Sequence, residues 1–278
     1  MMTLLNKKIN FMHNIKMKSS KRYNFRTVVL SDIHLGTTYS KVNEVNNFLK
    51  LINCNYLILN GDIIDGWHIK KNGTKRWQKK HTNFFKSLTE LIEHNNTKII
   101  YIQGNHDDFL ESLAPISTGN IQIVKDYVLD TKYGRYFITH GDIFDHVTCN
   151  MKWLAYLGDA GYTFLLWFND LYNNLRTMAG KPYYSLSKRI KQKVKKAVSY
   201  ISKFESTLSD FAHSNSYDGI ICGHIHHPAN TYYGKIHYLN SGDWVETLSA
   251  LVEDYEGNWQ IIYYSDILQD TNSIDNKL

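Results

Sequence analysis

Short apolar segments that end in glycine and polar residues recur along the chain, and they restrict its fold more than any other feature. Arg26–Ser31, Tyr56–Asn60 and Lys98–Ile102 have the length and composition of buried strands. Amphipathic segments separate them. Ser40–Cys54 has a helical apolar face with Ser40 as a candidate N-cap, and a second helix is predicted within Lys75–His94. Strands that alternate with helices predict an α/β protein with a largely parallel sheet.

The second half of the chain departs from this alternation. Residues 150–214 are helical in pattern, aromatic and basic, and Ser187–His213 within them has one apolar helical face. Three or four hairpin-type strands follow and end near Ser265. The remaining short strands are predicted around Ile121–Val124, Tyr127–Thr131, Arg135–Thr139 and Gly219–Cys222.

The composition predicts a main domain over residues 25–265, with residues 150–214 as a helical insertion, and two tails. The chain has no acidic residue before Asp32 and lacks the long apolar core of a secretory signal. We predict a basic, disordered tail over residues 1–24, with a membrane-surface or organelle-targeting segment as the alternative. Residues 266–278 are polar and predict a frayed C-terminal tail.

The net charge of +6 favours anionic partners such as phosphates, nucleic acid or an anionic membrane surface. Residues 150–214 alone carry ten Lys or Arg and four Asp or Glu, so they account for the whole excess. The alternatives are a solvated basic surface and a nucleic-acid site. No recognisable nucleic-acid-binding module accompanies the lysines, which argues against the latter.

Composition excludes several classes of protein. Hydrophobic residues make up 43% and charged residues 21%, values that rule out a disordered chain, a collagen and a coiled coil. The longest apolar run is far shorter than the about 20 residues of a membrane-spanning helix. The three cysteines are widely spaced and form no CxxC pair, which argues against a disulfide framework and predicts a reducing, cytoplasmic environment.

Asp, Asn and His residues collect where the predicted strands end. Ligand sites in open α/β sheets lie beyond the carboxyl ends of the strands, so these side chains are predicted to meet. Imidazole and carboxylate without thiolate favour Mn, Fe, Zn or Ni. Two such ions about 4 Å apart can generate hydroxide and stabilise an in-line displacement at phosphorus, and Asp62 is the natural bridge between them. The five segments are Ser31-Asp32-Ile33-His34, Asn60-Gly61-Asp62-Ile63-Ile64-Asp65, Gly104-Asn105-His106-Asp107-Asp108, Thr139-His140-Gly141-Asp142 and Gly223-His224-Ile225-His226.

These five segments resemble the motifs of the calcineurin-like metallophosphoesterase superfamily, and they span most of the chain. The resemblance implies a four-layer α/β/β/α sandwich of two packed sheets flanked by helices, here with an inserted helical lid. It also implies a metal-dependent hydrolase of phosphoric esters or anhydrides. The implied ligands of one ion are Asp32, His34, Asp62 and His226, and those of the other are Asp62, Asn105, His140 and His224.

The same resemblance implies roles for four further residues. His106 would be the general acid or a transition-state donor, oriented by Asp107, and Asn105 would also contact the substrate. Asp65 and Asp142 look like residues that orient the metal ligands.

A narrower resemblance involves the UDP-2,3-diacylglucosamine diphosphatase family, whose members are typically manganese-dependent. It implies pyrophosphate cleavage to UMP and a lipid monophosphate in lipid A synthesis, with the helical insertion as a lid over acyl chains. The chain departs from the best-studied branch, which has Arg at the position of His106. The segments that carry this resemblance are Ser31–Gly36, Gly61–Trp67, His140–Asp145, Cys222–His227 and Asn240–Glu246.

The sequence therefore predicts a dimetal hydrolase, cytoplasmic or peripheral on the inner face of the cytoplasmic membrane, that acts on a lipid-linked nucleotide. Ser187, Lys191 and Lys195 at the start of the lid are predicted to hold a second phosphate or the membrane. One alternative is a soluble metallophosphodiesterase or nucleotidase in which the helical segment only packs on itself and on the sandwich. An alternative of another class is a catalytically silent scaffold with the same fold.

Overall fold

The computed structural model describes residues 22–144 and 186–275, without the side chains of residues 76, 186–197 and 270–275. The strands are β1 Tyr23–Leu30, β2 Ile52–Asn60, β3 Lys98–Ile102, β4 Ile116–Thr118, β5 Ile121–Val124, β6 Asp126–Thr131, β7 Gly134–Thr139, β8 Gly219–Cys222, β9 Ala229–Tyr233, β10 Ile236–Asn240, β11 Ser249–Glu253 and β12 Trp259–Tyr263. The helices are α1 Val42–Lys50, α2 Gly66–Asn72, α3 Lys79–Asn95, α4 Leu186–Ser214 and α5 Tyr264–Asp275. Short 3-10 turns cover Thr74–Arg76, Asn105–Leu110 and Asp142–Phe144.

The described strands form two mixed sheets. The first has the order β12-β11-β1-β2-β3-β5-β4, and the second has the order β6-β7-β8-β10-β9. In the first sheet β1, β2, β3 and β5 are parallel, and in the second β7, β8 and β10 are parallel. The outer strands of both sheets pair antiparallel, so the parallel arrangement predicted from the sequence is confined to the sheet centres.

Alternate side chains of the first sheet enter two separate cores, because successive residues of a strand point to opposite faces. Leu57 and Leu59 of β2 pack with helices α1, α3 and α5. Ile58 between them packs with residues of the second sheet such as Ile138 and Ile221. On the outer side of the second sheet, the ring centroids of Phe137 and Phe211 of α4 lie 5.1 Å apart. The α/β/β/α layering implied by the motifs is thus present.

The chain divides into two compact units, residues 1–143 with 208–278 and residues 144–207. The structure describes only Phe144 and residues 186–207 of the second unit. Most of the N-terminal tail predicted for residues 1–24 and of the insertion predicted for residues 150–214 lies outside the described residues, so the domain boundaries stay predictions. In the described part of the chain, no helix has both the length and the apolar character needed to cross a bilayer.

Helix α1 is shorter than the predicted Ser40–Cys54. Ile52 already pairs with Tyr23 in the parallel β1–β2 ladder, so the apolar residues that extended the helical pattern belong to a strand. Ser40 does not cap the helix, because its hydroxyl donates to the carbonyl of Ile33 at 2.5 Å and the cap position is Lys41.

The C-terminal segment is helical where a frayed tail was predicted from residue 266. Helix α5 begins at Tyr264, and Tyr264 and Ile267 are buried in the core against the first sheet. Two apolar side chains three residues apart are enough to dock the start of this helix, and the polar composition of the segment conceals them.

Candidate metal centre

The loops after β1 and β2 bring two buried aspartates together. Because β1 and β2 are adjacent and parallel, Asp32 and Asp62 leave the same edge of the first sheet. Backbone hydrogen bonds join the two loops, from Asp32 N to Gly61 O at 3.0 Å and from His34 N to Asp62 O at 2.9 Å. The loop after β8 in the second sheet joins them, since His224 N donates to Asp32 Oδ2 at 3.0 Å.

Three overlapping groups of side chains at this edge could each hold a metal ion. Within each group the ligand atoms lie within 4.8 Å of one another. His226 Nε2 is 3.2 Å from Asp32 Oδ1, and His140 Nε2 is 3.5 Å from Asp62 Oδ2. Each carboxylate belongs to two of the groups, which is the arrangement expected of two neighbouring ions. The groups are Asp32 with His34 and His226, His34 with Asp62 and His106, and Asp32 with Asp62 and His140.

The two remaining predicted ligands lie next to this cluster. Asn105 begins the turn after β3, and its buried Oδ1 has no hydrogen-bond partner within residues 22–144 and 186–275. The ring centroid of His224 lies 5.1 Å from that of His140. The cluster thus contains every type of donor that the sequence predicted, while the division of the ligands between two ions stays a prediction.

Five predicted ligands occupy the left-handed region of backbone space, which non-glycine residues rarely adopt. Such strain persists only where the surrounding structure determines the backbone, and it is concentrated at functional sites. The hydrogen bonds that join the loops provide that constraint here. The five residues are Asp32 (φ 52°), His34 (φ 51°), Asp62 (φ 53°), His224 (φ 67°) and His226 (φ 54°).

Two glycines let the loops approach one another closely. A Cβ atom on Gly61 would overlap the ring of His140, and one on Gly104 would overlap the carboxylate and amide of Asp62. Gly61 also has a φ of +80°, so both its space and its backbone exclude a side chain. These motif glycines therefore bring His140 and Asp62 into contact distance.

The charges of the cluster favour a bound cation. Burial would raise the pKa of Asp62, but the neighbouring His140 and His34 lower it to about 2. Burial would lower the pKa of His140, but Asp62 and Asp32 raise it to about 10. The carboxylates thus stay ionised and keep His140 protonated, and a divalent ion would take the place of that proton.

Unsatisfied polar atoms support the same conclusion. Asp32 Oδ1, His34 Nε2 and His140 Nε2 are buried and have no hydrogen-bond partner among the residues that the structure describes. Buried polar atoms without partners are costly, and a metal ion would satisfy all three. His140 Nδ1 lies 2.9 Å from the carbonyl of Asn60, which sets the tautomer with Nε2 available for a metal. The residues therefore fit a dinuclear metal site.

His106 has Asp65 beside its ring, whereas the sequence predicted that Asp107 orients it. His106 Nδ1 lies 3.3 Å from Asp65 Oδ1, and His34 Nδ1 lies 3.4 Å from Asp65 Oδ2. Burial raises the pKa of Asp65, but its two histidine neighbours bring it well below the usual range. One carboxylate therefore lies against both a predicted ligand and the predicted acid, and the orienting role of Asp65 stays a prediction.

Asp107 instead ties the loop after β2 to the turn after β3. Its carboxylate accepts hydrogen bonds from Ile63 N at 3.0 Å, Ile64 N at 2.9 Å and the Tyr101 hydroxyl at 3.0 Å. Burial, reinforced by the charge of Asp62, raises its pKa to about 7. Asp107 is thus a positioning residue for the loop that carries Asp62.

Four other predicted site residues have no described hydrogen bond to the cluster ligands. Asp142 is half-buried, and its negative charge helps to raise the pKa of His140, but the described structure contains no hydrogen bond from it to a predicted ligand. Ser187, Lys191 and Lys195 lie on α4, and their side chains are outside the described part of the chain.

Two residues near the cluster were missed as site residues by sequence reasoning. Asp243 Oδ2 lies 3.8 Å from His226 Nδ1, and its Oδ1 accepts a hydrogen bond from Val245 N at 2.7 Å. The indole of Trp67 stacks on His106, with ring centroids 4.2 Å apart. Both belong to motif segments, but no spacing rule predicts that either would contact a histidine of the cluster from another loop.

Two packed sheets with a shared cluster of Asp and His at the strand ends define a metal-dependent hydrolase of phosphate compounds. The chain belongs to the calcineurin-like phosphoesterase family, whose model matches residues 25–228. The match covers all five motif segments, so the family and the cluster agree on a dimetal site. Among curated proteins, none matches this chain.

Solved structures with a similar fold include three phosphoesterases. An archaeal phosphodiesterase is 15% identical with a TM-score of 0.41, covering 85% of this chain and 98% of its own. The E. coli phosphoesterase YfcE is 15% identical with a TM-score of 0.42, and the match covers 86% of this chain and 93% of YfcE. A Danio rerio dimetal phosphatase is 9% identical with a TM-score of 0.41, and the match covers 86% of this chain and 99% of the phosphatase.

Proposed function

We propose that this phosphoesterase hydrolyses the pyrophosphate bond of UDP-2,3-diacylglucosamine with manganese, releasing UMP and 2,3-diacylglucosamine 1-phosphate. The observation that carries the chemistry is the sharing of Asp32 and Asp62 between overlapping ligand groups. The observation that favours this substrate is the similarity of five sequence segments, from Ser31 to Glu246, to the family that cleaves it.

The cluster residues divide the work around the scissile phosphate. Two divalent ions, when bound, would polarise the phosphoryl oxygens and activate the attacking water. His106, whose Nε2 lies 3.9 Å from Asp62 Oδ2, would donate a proton to the leaving oxygen. Asp65 holds its ring, and the hydrogen bond from His106 N to Asp62 Oδ1 at 2.8 Å fixes the turn from which His106 projects.

A soluble phosphodiesterase or nucleotidase is the second candidate. It is favoured by one observation, that His106 stands where the best-studied branch of the diphosphatase family has Arg. A histidine in the neutral form can transfer a proton, whereas an arginine stays charged and only stabilises negative charge. The acid role of His106 suits diester substrates whose leaving group needs protonation.

The test compares hydrolysis of UDP-2,3-diacylglucosamine and of bis-p-nitrophenyl phosphate by the manganese-loaded protein. Faster turnover of the lipid nucleotide, by roughly 100-fold in kcat/KM, would support the first candidate, since binding energy from the remote parts of a true substrate accelerates its reaction. Cleavage of the generic diester alone would establish the second. Asp62→Asn should abolish both activities, and Asp126→Asn on the exposed edge strand β6 is the matched control.

We also propose that the protein works in the cytoplasm, peripherally on the inner face of the membrane that contains its substrate. The support is the excess of lysine over residues 150–214, which suits an anionic lipid surface. Sedimentation with vesicles of phosphatidylglycerol should remove the protein from solution at low salt and release it at high salt. Binding that is equal for neutral phosphatidylcholine vesicles, or absent at every salt concentration, would contradict this location.

A further inference from the structure

A cleft of about 550 Å³ opens beside the metal centre, and the mechanism derived above does not use it. It borders the cluster through His106, because the Trp67 indole that lines it stacks on the His106 ring at 4.2 Å and 33°. The cleft is therefore adjacent to the predicted acid. Its lining residues are Gly66, Trp67, Ile69, Lys70, Asp108 and Phe109.

Two aromatic side chains at this cleft are about half exposed to solvent. Trp67 is 50% exposed and Phe109 is 48% exposed. Gly66 lets them share one wall, since a Cβ atom there would come within 2.7 Å of Phe109 and 2.8 Å of the His106 carbonyl. An exposed pair of rings next to a catalytic cluster is a surface on which a planar group can stack.

The polar residues of the cleft distinguish between two kinds of occupant. Lys70 supplies hydrogen-bond donors, and Asp108, which accepts from Trp67 Nε1 at 3.3 Å, supplies acceptor oxygens. An acyl chain would only displace water from these charged groups, at a cost in free energy. A nucleobase has a π-face for the rings and donors and acceptors on its edge for the charges.

We propose that the cleft formed by Trp67, Lys70, Asp108 and Phe109 binds the base of a nucleotide substrate. The inference rests on the proposed function, because it assumes that the phosphate of that nucleotide lies at the metal centre. It assigns the cleft to the nucleoside end of the substrate and leaves the acyl chains to be bound elsewhere. It also extends the recognition surface to Lys70 and Phe109, which lie outside the motif segments.

Equilibrium binding to the manganese-loaded protein tests the assignment without requiring turnover. Isothermal titration with UMP, ribose 5-phosphate and octyl phosphate compares a base, no base and an alkyl chain on the same phosphate. UMP should bind roughly tenfold more tightly than ribose 5-phosphate, the factor expected for stacking of one base on an aromatic side chain. Quenching of tryptophan fluorescence by UMP, and not by ribose 5-phosphate, is the second readout.

Paired variants assign the preference to the rings. Trp67→Leu and Phe109→Leu keep apolar volume without a π-face and should reduce the UMP preference to less than about threefold, whereas Trp67→Phe should retain most of it. Tyr133→Leu, an exposed aromatic on the turn between β6 and β7, is the control and should change nothing.

Three outcomes would overturn the inference. They are equal affinity for UMP and ribose 5-phosphate, a preference for octyl phosphate, and a UMP preference that survives Trp67→Leu. A protein that hydrolyses no phosphate compound but keeps a Trp67-dependent UMP preference would refute the proposed function and leave the cleft assignment standing.

Discussion

His140 and His237 are both buried histidines of the second sheet region, yet their surroundings shift their pKa values in opposite directions. His237 has two neutral partners, the Tyr136 hydroxyl at Nδ1 and Asn230 Oδ1 at Nε2, both at 2.8 Å, and burial lowers its pKa to about 4. His140 faces Asp62, and its pKa is raised to about 10 despite burial. Both histidines are buried, so the neighbouring carboxylate and the unsatisfied ring nitrogen are what distinguish the predicted ligand His140 from His237.

Replacing each of the two histidines should give the largest difference in activity. His140→Asn removes a predicted ligand, and manganese-dependent hydrolysis of bis-p-nitrophenyl phosphate should fall by roughly 100-fold or more. His237→Asn should leave kcat unchanged, because the hydrogen-bond partners of its ring in the described structure, Tyr136 and Asn230, are not predicted metal ligands. Metal content by mass spectrometry should fall only in the first variant. Equal losses of activity in the two variants would show that His140 acts through the fold.

Glu253 extends the comparison to buried carboxylates. It is fully buried, as Asp62 nearly is, but its oxygens already accept from Arg26 Nη1 and Thr27 Oγ1 at 2.6 Å. Arg26→Met should leave this charge unpaired and lower the free energy of unfolding by about 2–3 kcal/mol, the partial exposure of Arg26 reducing the full cost. Urea denaturation measures the loss, and adding Glu253→Gln should recover part of it. No loss in the single variant would mean that Glu253 is neutral.

The lowered pKa of His237 predicts a pH dependence of stability. Unfolding gives this histidine an ordinary pKa near 6.5, so the unfolded chain binds one more proton between about pH 4 and 6.5. The stability contributed by the neutral ring is present above pH 6.5 and is lost as the pH falls toward 4. Between pH 7 and 5 the wild type should lose about 2 kcal/mol more than His237→Asn does. His94→Asn, at an exposed position on α3, is the control and should follow the wild type.

Tyr39 should give the smallest effect. Its hydroxyl donates to Asp65 Oδ2 at 3.1 Å, and burial, with the charge of Asp65, raises its pKa to about 12. Tyr39→Phe removes one hydrogen bond from the carboxylate that holds His34 and His106. We expect kcat to fall by about threefold to tenfold with unchanged metal content, in line with the loss of one hydrogen bond to a charged group. A change in metal content without a change in kcat would reverse this assignment.

The sequence predicted what depends on strand ends and could not predict what depends on the direction of side chains. Five cluster residues were predicted to meet because parallel strands end at one edge of the sheet, and the structure brings them together. They are Asp32, His34, Asp62, His140 and His226. Asp65 and Asp107 both lie within motif segments, and the sequence could not show which of the two side chains points toward His106.

Errors in the fold have the same origin. The helix predicted to extend to Cys54 ends at Lys50 because Ile52 finds a partner in β1, a contact between residues distant in sequence. Helix α5 was missed because it docks through two buried residues in a polar segment. Local periodicity describes a segment by itself, whereas these boundaries are set by tertiary packing.

The left-handed backbone of five cluster residues predicts a pattern in a saturation mutagenesis map of this protein. The five residues are Asp32, His34, Asp62, His224 and His226. Asparagine and glycine tolerate that conformation, whereas valine and isoleucine do not. At these positions Asp→Asn or His→Asn isolates the loss of a metal donor, and a β-branched replacement also disturbs the loop. Abundance scores should therefore separate Asn and Gly from Val and Ile at these positions while activity scores are uniformly low.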